Sequence, residues 1–200
     1  MNHQPTIAAI ILAAGAASRM GQPKQLLDWH GKPLVRRAAE TAGAANCDPV
    51  LVVVGAARDA VVAALDGLPL LIVENPDYAA GQSTSLRAGV AALGPETEAV
   101  LVLLGDQPFV TPAIVEQIVD TWRNTGASIV APVYGGQRGN PVLFARAVFP
   151  ELLAIEGDQG ARAILAADRS RVALVHFDDP RPLADIDTPE DYRRLTHDER

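Results

Sequence analysis

Short apolar runs recur along the chain without polar alternation, at residues 7–12, 50–54, 70–73, 99–104, 129–133, 142–144 and 172–175. A strand with one wet face alternates, so runs of this kind predict strands covered on both faces, as in a mainly parallel sheet flanked by helices. Between several of them lie segments with helical spacing. Leu34, Val35, Ala38, Ala39 and Ala42 form one apolar stripe, Leu86, Val90 and Leu93 a second, and Ile114, Val115, Ile118, Val119 and Trp122 a third. Pro33 and Pro112 sit where a first helical turn would begin, Thr111 suits an N-cap, and Gly43 and Gly126 suit helix stops. The alternation is βαβα, and the class is α/β with three layers. The turn-rich stretch 135–139, between two apolar runs, predicts an antiparallel excursion near the C-terminus.

Two hundred residues, 48% hydrophobic and only 4% aromatic, suit one domain with an aliphatic core. Residues 1–200 are therefore expected to form a single domain with loose termini at 1–6 and 196–200. A net charge of -7 with scattered cations leaves no basic footprint for nucleic acid. The one cysteine, Cys47, excludes an internal disulfide and a cysteine-built zinc site, and points to a reducing compartment. The run at 7–14 is too short to span a bilayer and no positive region precedes it, so a cytoplasmic protein with no membrane partner is expected.

The stretch LAAGAASRMGQPK, residues 12–24, runs from a strand into a loop of small residues bearing Arg19 and Lys24. Leu12, Ala13, Ala14 and Gly15 would let backbone N–H groups approach a polyphosphate, and the two cations would neutralise it. Gly15 and Gly21 are spaced wrongly for the dinucleotide fingerprint, and Gly21 lacks the Lys-Ser/Thr of a P-loop. Read alone, the stretch is also a plain βα turn with two exposed cations. Asp106 follows a buried run directly and would stand at the crevice where open α/β sheets bind ligands, as a hard oxygen donor suited to Mg²⁺. Turns also favour Asp there for their own geometry. Asp187 or Thr188 could cap a helix starting at Pro189, and Asp187 becomes a metal ligand only if it meets Asp106 in space. None of the histidines is spaced for a metal with another, and no G-x-S-x-G elbow is present.

With these stretches in place the chain resembles the MobA-like nucleotidyltransferases, and within them the molybdenum cofactor cytidylyltransferases, from residue 7 to about 195. LAAGAASRMGQPK, NPDYAAGQSTSLRAG, GDQP, APVYGGQRGNPVLF, EGDQGAR and DIDTPEDY occur in family order. The resemblance implies a Rossmann-like nucleotidyltransferase fold whose first loop wraps the triphosphate, with Arg19 and Lys24 on its phosphates. It implies Mg²⁺ on Asp106 and Asp187. The base would be lined by the segment that includes Asn75, Gly81 and Ser85. Gln107, Gly139, Asn140, Pro141 and Asp158 are assigned to the acceptor.

Relatives that use GTP typically carry LAGG, whereas AAG, as at Ala13, Ala14 and Gly15, marks those that use CTP. A Cβ at Ala14 would also narrow the pocket against a purine. The family's G-H-P near the acceptor is here Gly139-Asn140-Pro141, and Asn140 cannot become cationic, so an anionic acceptor would be held differently. Asn140 can equally be a turn residue ahead of Pro141. The implied reaction joins CMP from CTP to the terminal phosphate of molybdenum-bearing molybdopterin and releases pyrophosphate, with a molybdenum hydroxylase apoenzyme downstream. Rivals are a guanylyltransferase, a transferase for another phosphorylated small molecule, a flavin or nicotinamide oxidoreductase, and a non-catalytic molybdenum cofactor chaperone.

Overall fold

The computed structural model describes residues 5–15, 21–157, 161–184, 186 and 188–197. The elements follow the chain as β1 (Thr6–Ala13), β2 (Asp28–Trp29), β3 (Lys32–Pro33), α1 (Leu34–Ala44), β4 (Val50–Val54), α2 (Arg58–Ala64), β5 (Leu71–Glu74), α3 (Gln82–Ala91) and β6 (Thr97–Leu104). They continue as α4 (Pro112–Thr125), β7 (Ile129–Tyr134), β8 (Gln137–Arg138), β9 (Val142–Ala145), α5 (Phe149–Leu153), α6 (Arg162–Ala167), β10 (Val172–Phe177) and α7 (Pro189–His197).

The main sheet has the order β10-β7-β9-β6-β1-β4-β5, with β8 pairing β7. β1 is parallel to both β4 and β6, β4 to β5, and β7 to β10, while β9 runs antiparallel to β6 and β7. The apolar runs thus become strands, and the region after 129 supplies the antiparallel part. Its turn is Gly135-Gly136, both at positive φ (53 and 89), the backbone that a two-residue hairpin turn needs.

Non-alternating strands are explained by two cores, one on each face. Ile7, Ala9, Ile11 and Ala13 of β1 pack with α1, α2 and α4 through Val35, Val61, Val115 and Ile118. Ala8 and Ile10 face the other way, against Leu86 and Val90 of α3, Leu152 of α5 and Ile164 and Leu165 of α6. Truncating one such side chain, for example Ile118→Ala, should cost about 2–5 kcal/mol through lost transfer energy and the cavity left behind.

Helix ends follow the chemistry of their sequences. Thr111 caps α4 by accepting from the Ile114 N–H at 3.4 Å, Pro112 is its first residue, and Gly126 ends it in the left-handed conformation. At α7 the Thr188 hydroxyl accepts from the Asp191 N–H at 3.1 Å, and the Asp191 carboxylate accepts from the Thr188 N–H at 3.1 Å. That reciprocal pair is a capping box with Asp in place of Glu. Four boundaries differ from expectation. Pro33 closes β3 instead of opening α1, Gly43 lies inside α1, β1 begins at Thr6 and α7 ends at His197. α1 runs past Gly43 because its stripe continues to Ala42 and the next N–H groups, of Ala45 and Asn46, still close onto helix carbonyls.

A third, smaller apolar cluster joins distant parts of the chain. Leu27, Trp29, Leu34, Phe109 and Ile186 are all buried together, with Tyr192 packed on them. Trp29 meets Phe109 edge-on at 5.4 Å, and the Tyr192 hydroxyl donates to the Asp28 carbonyl. Among the described residues no helix is long and apolar enough to cross a membrane.

Candidate functional site

In this sheet α1 and α2 carry the chain outward from β1 to β5, and α3 brings it back on the opposite face to β6, on the other side of β1. The carboxyl ends of β1 and β6 therefore flank a topological switch point, where open α/β sheets bind ligands. The two ends are stitched together, since the Gly105 N–H donates to the Leu12 carbonyl at 3.0 Å.

A cavity of about 270 Å³ opens there, and Leu12, Ala13, Ala14, Gly15, Lys24 and Asp106 line it together. The sequence-predicted phosphate loop and metal carboxylate thus share one space. Gln25 fixes the loop from behind. It is buried, and its Nε2 donates to the Ala13 carbonyl at 3.0 Å and the Gly15 carbonyl at 3.3 Å. Sequence reasoning passed over this residue, because its partners are loop carbonyls that it meets only in the folded chain.

The loop lies against β4 with no room between them. A Cβ on Gly55 would stand 2.7 Å from the Ala14 carbonyl oxygen, 2.8 Å from Tyr78 Cγ and 2.9 Å from Ala14 Cβ. The Ala14 methyl accordingly sits toward Gly55 and Tyr78, and whatever room it takes from a base it takes on the β4 side.

Asn75, Gly81 and Ser85 meet in one hydrogen-bonded group. The Asn75 amide donates to Thr84 Oγ1 at 2.8 Å and to Ser85 Oγ at 2.9 Å, and its carbonyl accepts from the Asp77 N–H at 3.0 Å. Thr84 Oγ1 lies 2.8 Å from the Gly81 carbonyl. Asn75 is buried and both its side-chain ends are satisfied, which fixes the start of α3 beside the cavity.

A second cavity, of about 430 Å³, adjoins the first and shares Leu12, Gln82 and Leu104 with it. Gly139 and Asn140 line it, with Arg138 and Arg162. Tyr134 sets the turn: its buried hydroxyl donates to the Asn140 carbonyl at 2.9 Å, and a Cβ on Gly139 would stand 2.9 Å from Tyr134 Cδ2. Burial pushes the Tyr134 phenol above its ordinary range, so it remains a donor. Gln107 is buried, lines neither cavity, and its Oε1 has no partner among the described residues. Arg19, Asp158 and Asp187 lie outside the described residues.

Among the described residues no group of three or more His, Cys, Asp and Glu could hold a metal. Mg²⁺ does not need such a cage, since it is commonly held by one or two carboxylates plus substrate phosphates and water. A carboxylate that lines this cavity, as Asp106 does, fits that mode. Cys47 is buried and its thiol is pushed up to about 12 by desolvation, so it is not a nucleophile at neutral pH.

Small residues, a cation and a carboxylate meeting at the switch point of a parallel sheet define a nucleotide-binding α/β protein. Comparison with known proteins makes this specific. Residues 9–172 match the MobA-like NTP transferase domain, and the chain belongs to that family of nucleotidyltransferases. It is 34% identical to nicotine blue oxidoreductase of Paenarthrobacter nicotinovorans, over 96% of this chain and 97% of that one. It is 31% identical to molybdenum cofactor cytidylyltransferase of Escherichia coli K12, over 93% of each. The crystal structure of Rv0371c from Mycobacterium tuberculosis H37Rv in complex with manganese superposes with a TM-score of 0.77 at 34% identity, covering 96% of this chain and 98% of that one.

Proposed function

We propose that the chain is a cytoplasmic, Mg²⁺-dependent cytidylyltransferase that transfers CMP from CTP to the terminal phosphate of molybdenum-bearing molybdopterin. The observation that carries the reading is the junction of the two cavities through Leu12, Gln82 and Leu104. It sets a phosphate loop with its carboxylate beside a roomier, half-apolar pocket, as transfer between a nucleotide and a second small molecule requires. The cytidylyltransferase relative, the Ala13-Ala14-Gly15 loop and the manganese complex of the Mycobacterium tuberculosis relative support the choice of nucleotide, acceptor and divalent metal.

In this mechanism Lys24, Arg19 and the loop N–H groups bind and orient the triphosphate, with Asn75, Gly81 and Ser85 forming the base side. Asp106 and Asp187 would hold the Mg²⁺, which when bound supplies charge neutralisation on the triphosphate. An acceptor phosphate oxygen forms the new bond to the α-phosphorus, the bond from that phosphorus to the β-phosphate oxygen breaks, and pyrophosphate leaves. A phosphate is already anionic near pH 7, so no general base is needed. Gly139, Asn140, Pro141 and Asp158 are the acceptor's side of the site in this reading, and Gln107, which lines neither cavity, is left out of it.

The test is pyrophosphate release from each of the four ribonucleoside triphosphates with Mg²⁺ and molybdenum-loaded molybdopterin. Release with CTP alone is expected, lowered on the order of 10²-fold or more by Asp106→Asn with the fold retained. Release with GTP would overturn the base assignment. The oxidoreductase relative favours one second reading, in which the same pocket serves a redox substrate. No release with any nucleotide, together with oxidation of NADPH or a bound flavin's visible absorption, would establish that reading instead.

A further inference from the structure

A third hollow, of about 390 Å³, lies beyond Arg138 along β10. Val133, Val172 and Leu174 form its floor, and Arg138, Arg169 and His176 its polar edge. Arg138 lines both this groove and the acceptor cavity. Leu174 is 46% exposed, unusual for a large aliphatic side chain, and His176 on the same face of β10 is exposed beside it.

Several guanidinium groups elsewhere on the molecule are paired with carboxylates. Arg58 is tied to Asp59 and Glu74, Arg171 to Glu151, and Arg181 to Asp179. The guanidinium groups of Arg138, Arg162 and Arg169 make no hydrogen bond or ion pair among the described residues, and no described Asp or Glu lines either hollow. In a chain of net charge -7, three guanidinium groups around two apolar hollows that share Arg138 form a local anion-attracting surface.

We infer that the acceptor cavity continues past Arg138 into the β10 groove, and that the two together take an elongated, flat acceptor with an anionic group at each end. One end lies beside Arg162 at the transfer site and the other beside Arg169 and His176, with an apolar body across Val133 and Leu174. The inference rests on the reading of the 430 Å³ cavity as the acceptor's. Guanidinium pairs planar anions with two parallel hydrogen bonds, so a second carboxylate, sulfonate or phosphate is the group this end selects.

The experiment uses rigid aryl anions in isothermal titration, independent of any turnover. Naphthalene-2,6-disulfonate should bind about three- to tenfold tighter than naphthalene-2-sulfonate at low salt, and the gain should shrink at high salt. Arg169→Ala should bring the disulfonate down to the monosulfonate and leave the monosulfonate unchanged, with an unaltered melting temperature. Arg169→Lys should keep part of the gain, and Arg138→Ala should weaken both ligands. Equal binding of the two, indifference to Arg169→Ala, or no binding of either at millimolar concentration would overturn the inference. Sulfonate binding as described without nucleotidyl transfer sinks the proposed reaction alone, whereas transfer without the disulfonate gain sinks the groove alone.

Discussion

Tyr134 holds Asn140 by the backbone: its buried hydroxyl donates to the Asn140 carbonyl at 2.9 Å while its ring closes on Gly139 and stacks on Phe177 at 5.2 Å. Asn140 is thereby held at the wall of the larger cavity. Tyr134→Phe keeps the ring and removes the donor. A loss of about 0.5–1.5 kcal/mol in urea unfolding is expected, and the acceptor KM should rise while that for the nucleotide holds. Equal rises in both would show that the hydroxyl supports the fold generally and not this turn.

Gly55→Ala is predicted to act on the phosphate loop from behind. The new methyl meets the Ala14 carbonyl and Cβ and the Tyr78 ring, so a cost of about 1–3 kcal/mol and weaker nucleotide binding should follow. Adding Ala14→Gly removes the methyl contact but not the carbonyl contact. The double variant should recover only part of both losses, and full additivity of the two single changes would contradict the contact.

Asn75 joins three partners, and Asn75→Ala removes the acceptor of the Asp77 N–H and the shared donor to the buried Thr84 and Ser85 hydroxyls. Burial makes an unmatched polar group cost about 1–3 kcal/mol, so the melting temperature should fall by several degrees. Binding of CTP, followed by titration calorimetry, should weaken more than binding of an acceptor analogue.

Glu151 takes both guanidinium hydrogen bonds of Arg171, at 2.7 and 2.8 Å, and these hold its carboxyl below the ordinary value of 4.5. A depressed carboxylate stabilises the fold above its unfolded pKa and loses that contribution as pH falls through the folded one. The pair is half open to solvent, so Glu151→Gln should cost no more than about 1 kcal/mol at pH 7. The difference from the parent should fade as the pH drops below 4.5, and a difference that persists at pH 3 would assign it to packing.

The strands were legible because burial on both faces removes polar alternation, and the runs at 7–12, 50–54 and 99–104 carry that mark directly. α2 escaped detection because its run is short and only Val61 is buried. Lys24 and Asp106 could be placed from the strands that precede them. Gln25, Tyr134 and the arginines of the β10 groove could not, because their roles depend on segments that meet only in the folded chain.

The small cluster of Leu27, Trp29, Leu34, Phe109 and Ile186 draws on the segment after Lys24, the segment after Asp106 and the approach to α7. On the ribosome the first two emerge long before the third, and a domain folds as its parts become available. The nascent chain can therefore complete its sheet around β1 and β6 while the apolar side of Trp29 and Phe109 still awaits Ile186 and Tyr192. Until the stretch around Ile186 has cleared the exit tunnel, Trp29 and Phe109 keep an apolar side uncovered, and an interrupted translation product carries that cluster unfinished.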